Sequence, residues 1–209
     1  MGLSLKRAVR TTLFTATTTL LATTLNAGTV TVIGDVNAPA VGGNTDLYEG
    51  ILGDSTSVLA SPNLGQQFST DAFYENLPGV TTEVSSAELT DMLLDTVDLL
   101  MVTVSFSNTL SYSNDEFEAI MKFLDACGDV LAVLESSTPE TDGYNAYLTG
   151  IGSNISYTGD RIGSPSTDTS LANTPISSSD ESFSVNAYNL LTGGTVVAEN
   201  INGGAFVMF

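Results

Sequence analysis

Two carboxylates and a few hydroxyls stand where α/β proteins place their chemistry. Asp35 closes the run Thr29-Val-Thr-Val-Ile-Gly-Asp35, and Glu135, Ser136 and Ser137 close a second run that begins at Asp129. Ser105 and Ser107 stand at the end of a third, at 97–105. Open α/β sheets bind ligands outside the carboxyl ends of their strands, so these residues make one candidate ligand or cation site. Asp35 and Glu135 offer the hard oxygen donors that Ca²⁺ or Mg²⁺ takes. Their competing role is to cap the turns that follow, through backbone N–H groups. No D-x-D-x-D-G loop is present, so an ion site would be assembled from separate segments. A chain without histidine and with one cysteine is a poor zinc ligand.

Nucleophilic chemistry fares worse. The strained G-x-S-x-G elbow needs small residues two positions either side of its serine. Around Ser136 those positions hold Leu134 and Thr138; around Ser137 they hold Glu135 and Pro139. A serine–lysine dyad would need Lys122, which the helical pattern puts on a solvent face. Cys127 precedes its strand and is expected to be a small buried hydrophobe at a tight helix–strand junction, not a reactive thiol. Tyr144 and Tyr147 could stack on a sugar, but at helical spacing they read as packing. Gly42-Gly43-Asn44 matches neither phosphate-loop spacing, and Asn154-Ile-Ser156 matches the glycosylation pattern without further support.

The elements that position these residues follow a leader. Lys6, Arg7 and Arg10 precede a Thr-rich apolar stretch at 11–25, and Asn26-Ala27 offers small residues for cleavage. Fifteen residues are short against the roughly 20 that span a bilayer, so 1–27 reads as a secretory signal. The expected location is secreted or periplasmic, with no membrane attachment after cleavage. Residues 28–209 then form one domain, with two basic residues, Lys122 and Arg161, against 24 acids, hence a formal charge of −22. Such a surface repels nucleic acid and attracts cations or basic partners; an envelope carbohydrate is the other partner class. The acidity fits either salt adaptation or ion binding.

Strand patterns fall at 29–35, 57–60, 80–84, 97–105, 129–135, 195–199 and 205–209, with a short one at 155–157. Helical patterns fall at 45–52 (capped by Asn44), 68–77, 86–94 and 141–151. The best helix begins at Ser113, which with Glu116 has capping-box spacing; it presents Phe117, Ile120, Met121 and Leu124 at i, i+3, i+4, i+7 and is stopped by Gly128. Glu118 and Lys122 form an i, i+4 pair on it. Alternation of strands and helices predicts a three-layer, flavodoxin-like α/β fold, a mostly parallel sheet with helices on both faces. The last strand either forms a sheet edge or belongs to a chain that continues.

The ordered motifs carry a resemblance. A strand ending Gly34-Asp35, the strand Asp98-Leu-Leu-Met-Val-Thr-Val-Ser105, a helix ending Phe123-Leu-Asp-Ala-Cys-Gly128, and Asp129-Val-Leu-Ala-Val-Leu134 followed by Asn145-Ala-Tyr-Leu-Thr-Gly-Ile-Gly152 are similar to class I glutamine amidotransferase-like domains. The likeness covers about 29–160 and is best to secreted relatives in which Cys127-Gly128 is commonly Gly-Gly. It implies an elbow cysteine after the central strand, a downstream histidine and an acid beside it. Here the elbow Leu134-Glu135-Ser136-Ser137 has no cysteine and the chain has no histidine. The expectation is therefore an exported, acidic, non-catalytic binding or structural module. The alternative is a divalent-cation-dependent hydrolase using Asp35 and Glu135.

Overall fold

The apolar runs pair side by side as their β-branched residues require. The computed structural model describes residues 27–35, 38, 44–62, 69–104, 110–135, 141–163 and 167–209. In chain order the elements are β1 (Val30–Ile33), α1 (Thr45–Leu52), β2 (Ser57–Pro62), α2 (Ser69–Glu75), β3 (Thr81–Val84), α3 (Asp91–Leu94), β4 (Leu99–Val104) and α4 (Asn114–Asp125). Then come β5 (Asp129–Leu134), α5 (Thr141–Gly150), β6 (Ser156–Ile162), β7 (Thr167–Ser170), β8 (Ser182–Val185), β9 (Tyr188–Thr192), β10 (Val196–Glu199) and β11 (Ala205–Met208).

The main sheet runs β3-β2-β4-β5-β1-β11-β9-β6, with β10 also paired to β11. β3, β2, β4, β5 and β1 are mutually parallel, whereas β11, β9, β6 and β10 join antiparallel. The sheet is thus mixed, and its parallel part departs from the flavodoxin-like order 2-1-3-4-5. β1 stands beyond β5, in the place of the fifth strand, and its outer side is taken by β11. β11 is consequently an interior strand and not the edge considered from sequence. β3 is an edge, as its exposed, alternating pattern predicts.

β4 is buried along its whole length, which suits a strand covered on both sides. Its alternate residues feed two clusters. Leu100, Val102 and Val104 pack with Ile120, Phe123, Tyr144 and Leu148 from α4 and α5. Leu99 and Met101 pack with Leu47, Tyr48, Ile51 and Tyr74 from α1 and α2.

α1 has the bounds its pattern predicts, but Asn44 makes no side-chain cap. Its amide instead donates to Ser184 O at 3.0 Å and accepts from Ser184 N at 2.7 Å, which ties α1 to β8. α3 is shorter than expected. Thr90 caps it by accepting from Leu93 N, and the N–H of Leu89 goes to Glu116 Oε1 at 3.1 Å. α4 carries the full capping box of Ser113 and Glu116. Its core face is Ala119, Ile120, Phe123 and Leu124, rotated from the expected one, so Met121 stays 40% exposed. Residues 182–192, left without strands by their Ser/Asn content, form β8 and β9 because their backbones find β7, β11 and β6 as partners.

Candidate functional site

Ile33 of β1 faces Val133 of β5 in register, so Asp35 and Glu135 leave adjacent parallel strands at the same end. The expected juxtaposition of these two is therefore present in the backbone. Both side chains are fully buried. Burying an ionised carboxylate is costly unless it is paired and hydrogen-bonded, and the two meet that requirement differently.

Glu135 is met by Arg161 of β6. The guanidinium donates to Oε1 from Nη2 at 2.7 Å and from Nε at 3.2 Å, with 31% of the arginine side chain exposed. β6 reaches this position because α5 holds it. Asn145 donates to Tyr157 O at 3.1 Å and accepts from Tyr157 N at 2.7 Å. Tyr157 Oη donates to Leu134 O at 2.8 Å, and Tyr144 Oη donates to Glu135 O at 3.0 Å. The pairing of β6 with β9 shifts register between Tyr157 and Arg161, where Gly159 has φ +89°. A bulge of this kind re-aims a side chain; here it lets Tyr157 enter the core while Arg161 turns to Glu135. Burial, then Tyr144, then the Glu135 charge push the Tyr157 phenol well above its ordinary value.

Asp35 is met by the turn between β8 and β9. The N–H of Asn186 donates to its Oδ2 at 2.9 Å. Neighbouring backbone seals this corner, with Asn189 N to Gly34 O at 2.8 Å and Gly34 N to Phe206 O at 2.9 Å. Both carboxylates thus take partners from more than 25 residues away in sequence. The turns that follow them, at 36–37 and 136–140, lie outside the described residues, and with them the capping role expected for the pair. Ser105, Ser107, Ser136 and Ser137 lie outside the described residues, as do Gly42 and Gly43.

A divalent ion would have to share this corner. Among the described residues no three Cys, Asp or Glu side chains converge as a metal shell. Asp35 and Glu135 alone fall short of the six to eight oxygens of a Ca²⁺ site, and Glu135 already has a cation on Oε1.

The opposite edge of the sheet was not singled out from sequence, and cavities open there among the described residues. Asp98, one residue before β4, accepts at Oδ2 from Thr56 N at 2.8 Å, Ser57 N at 2.9 Å and Thr56 Oγ1 at 3.2 Å. Asp129, opening β5, accepts at Oδ1 from Thr29 N at 2.6 Å. These two aspartates bind the strand starts together. The recurring Asp before an apolar run (Val97-Asp98-Leu99, Gly128-Asp129-Val130) was the available signal. Cys127 stands between them, exposed, with φ +71°. This corrects the expectation of a buried thiol. α4 ends in a Schellman turn, with Gly128 N to Phe123 O at 2.9 Å and Cys127 N to Leu124 O at 3.0 Å, and that turn puts its left-handed residue at Cys127. Gly128 is required one position later because the ring of Phe123 occupies the place of a Cβ.

Tyr144 and Tyr147 are buried and so are packing residues, not a sugar platform. Tyr147 stacks near Tyr112 and Phe117, with ring centroids 5.2 and 6.1 Å away. Lys122, on the solvent face as expected, bridges Asp91 and Glu118 at 3.0 Å each. Asn154 donates to Gly193 O at 2.7 Å. No helix of the described residues is long and apolar enough to cross a membrane; residues 1–26, most of the expected signal, lie outside the described set. No known family matches the chain, and no curated protein matches its sequence.

Proposed function

We propose that the chain is an exported, acidic, non-catalytic binding or structural module of an envelope or extracellular assembly. We read its scaffold as a three-layer variant of the flavodoxin-like type, a degenerate relative of the class I glutamine amidotransferase-like domains. The motifs from Gly34-Asp35 to Asn145–Gly152 support that kinship, and the Lys/Arg-led stretch at 1–27 supports export. One observation carries the non-catalytic reading: Glu135, the acid of the elbow, is fully buried and ion-paired to Arg161. A carboxylate so engaged holds β6 on the strand ends. General base work or ion ligation would first require that pair to break, which costs about 3–5 kcal/mol for a buried pair.

The test is thermal unfolding of residues 28–209 in CaCl₂, MgCl₂ or chelator, each matched in ionic strength with NaCl. Self-repulsion at −22 is relieved by screening alone, so the reading expects the three salts to stabilise equally. The competing reading, a carboxylate-only hydrolase dependent on Ca²⁺ or Mg²⁺, expects a saturable extra gain of about 2.7 kcal/mol at a hundredfold excess over Kd. That gain, lost in Asp35→Asn and accompanied by ester or phosphoester turnover, would replace the module reading.

A further inference from the structure

Three cavities with common walls lead from the α3–α4 face to the edge of the sheet where β1, β4 and β5 begin. The first, about 480 Å³, lies between α3 and the start of α4, under Met92 and Glu118. The second, about 410 Å³, continues it over Leu94, Val97 and Phe123; the two share Asp91, Ala119 and Lys122. The third, about 380 Å³, reaches the end of α1 and shares Asp98 and Cys127 with the second. Shared walls set the three in a row, the first two on the α3–α4 face of the sheet and the third round its edge on the α1 face, and this row is treated as one trough.

Its floor and rim differ in kind. Leu89, Leu94, Val97, Ala119 and Phe123 make an apolar floor, and Met92, 86% exposed, adds a flexible apolar side chain at the rim. The rim itself carries eight carboxylates and one ammonium. That ammonium, Lys122, is already held by Asp91 and Glu118. We propose that this trough docks a cationic, amphipathic polypeptide segment, its Lys or Arg side chains on the carboxylate rim and its apolar side chains on the floor. Charge complementarity selects this occupant. A second copy of the chain would bring the same sign and be repelled, as would nucleic acid. A single metal ion would use neither the floor nor the length, and no three ligating side chains converge here among the described residues.

This inference rests on the binding-module reading and names the chemistry of its partner. Its test uses the full chain and two synthetic probes, octalysine and a peptide alternating lysine and leucine, at low salt. Cys127 reports from the middle of the trough through its rate of alkylation by iodoacetamide. Three outcomes are expected together. The alternating peptide binds more tightly than octalysine, and saturating peptide slows Cys127 alkylation. The triple variant Glu88→Gln/Asp95→Asn/Glu118→Gln loses about tenfold in affinity, roughly three exposed charge pairs. A control neutralised elsewhere, Glu75→Gln/Glu83→Gln/Glu199→Gln, loses far less. Absence of binding, equal losses in the two triples, or unprotected Cys127 in the bound state overturns the inference. Those results leave the module reading standing, whereas cation-dependent turnover ends that reading without touching the trough.

Discussion

The two ends of the parallel strands are built in opposite ways. At the carboxyl ends of β1 and β5 the chain brings distant segments in: Arg161 from β6 onto Glu135 and the β8–β9 turn onto Asp35. At the amino ends the carboxylates of Asp98 and Asp129 are satisfied by N–H groups of the neighbouring strand starts, and nothing described covers them. Acids serve as internal braces at one edge and as an open rim at the other. The difference teaches that a carboxylate at the customary ligand edge is no sign of chemistry until its partners are known. Among the described residues, cavities open at the edge where α/β proteins rarely bind anything.

The sharpest way to break the comparison is to remove the brace. Arg161→Ala leaves Glu135 buried without its cation, which should cost about 3 kcal/mol, the low end for a broken buried pair because the guanidinium is part-exposed. In a domain of this size that is a fall in Tm of roughly 6–12 °C, readable by circular dichroism. An unchanged Tm would mean that Glu135 is not held as described. At the open edge Asp98→Ala removes an acceptor of three hydrogen bonds, but the freed N–H groups can turn to water. A loss of about 1–2 kcal/mol is expected in urea unfolding, smaller than at the braced edge; a larger one would reverse the contrast.

A third substitution should stabilise. Cys127 occupies a left-handed conformation that costs a residue with a Cβ roughly 1–2 kcal/mol, and glycine occupies it freely. Cys127→Gly should therefore raise stability by about 1 kcal/mol after the added freedom of the unfolded chain is discounted. No gain would place the junction's strain elsewhere.

The smallest effect is the response to alkali. Desolvation by burial, more than any neighbour, raises the phenols of Tyr74, Tyr147 and Tyr157 above 10.0. Hydrogen bonds to Asp91, then Glu118, raise Lys122. A raised folded-state value means stability that is complete below the unfolded value and is lost as pH rises through the folded one. Urea midpoints should stay flat to about pH 9 and fall beyond about pH 10. A midpoint that rises there would contradict the burial of these side chains.

Much of this architecture was legible in the residues, and the illegible part has a common cause. α1 falls at the bounds its pattern predicts, the α4 capping box is present, and β4 reads as a doubly buried strand because local signals set all three. α3 was drawn too long because Leu89 lies at helical spacing while its N–H is claimed by Glu116, a residue of another helix. β8 and β9 were invisible because Ser, Asn and Tyr there adopt strands only against partners supplied by the rest of the fold. The pairing of Asp35 and Glu135 at one sheet edge followed from strand ends alone. Their partners did not, since Asn186 and Arg161 arrive over long separations and no local pattern announces them. Arg161 left one clue, as the only arginine after residue 10 among 24 acids: a lone guanidinium in so acidic a chain has a carboxylate to serve.

The central claim is that Glu135 is a brace, and a double-mutant cycle tests it most directly. Glu135→Gln, Arg161→Met and their combination would be compared by urea unfolding at fixed ionic strength. A brace predicts two destabilised single variants and a double variant no worse than either, with a coupling energy of about 2 kcal/mol or more. Additive losses, with coupling near zero, would show the pair to be incidental and return Glu135 to the list of groups available for chemistry.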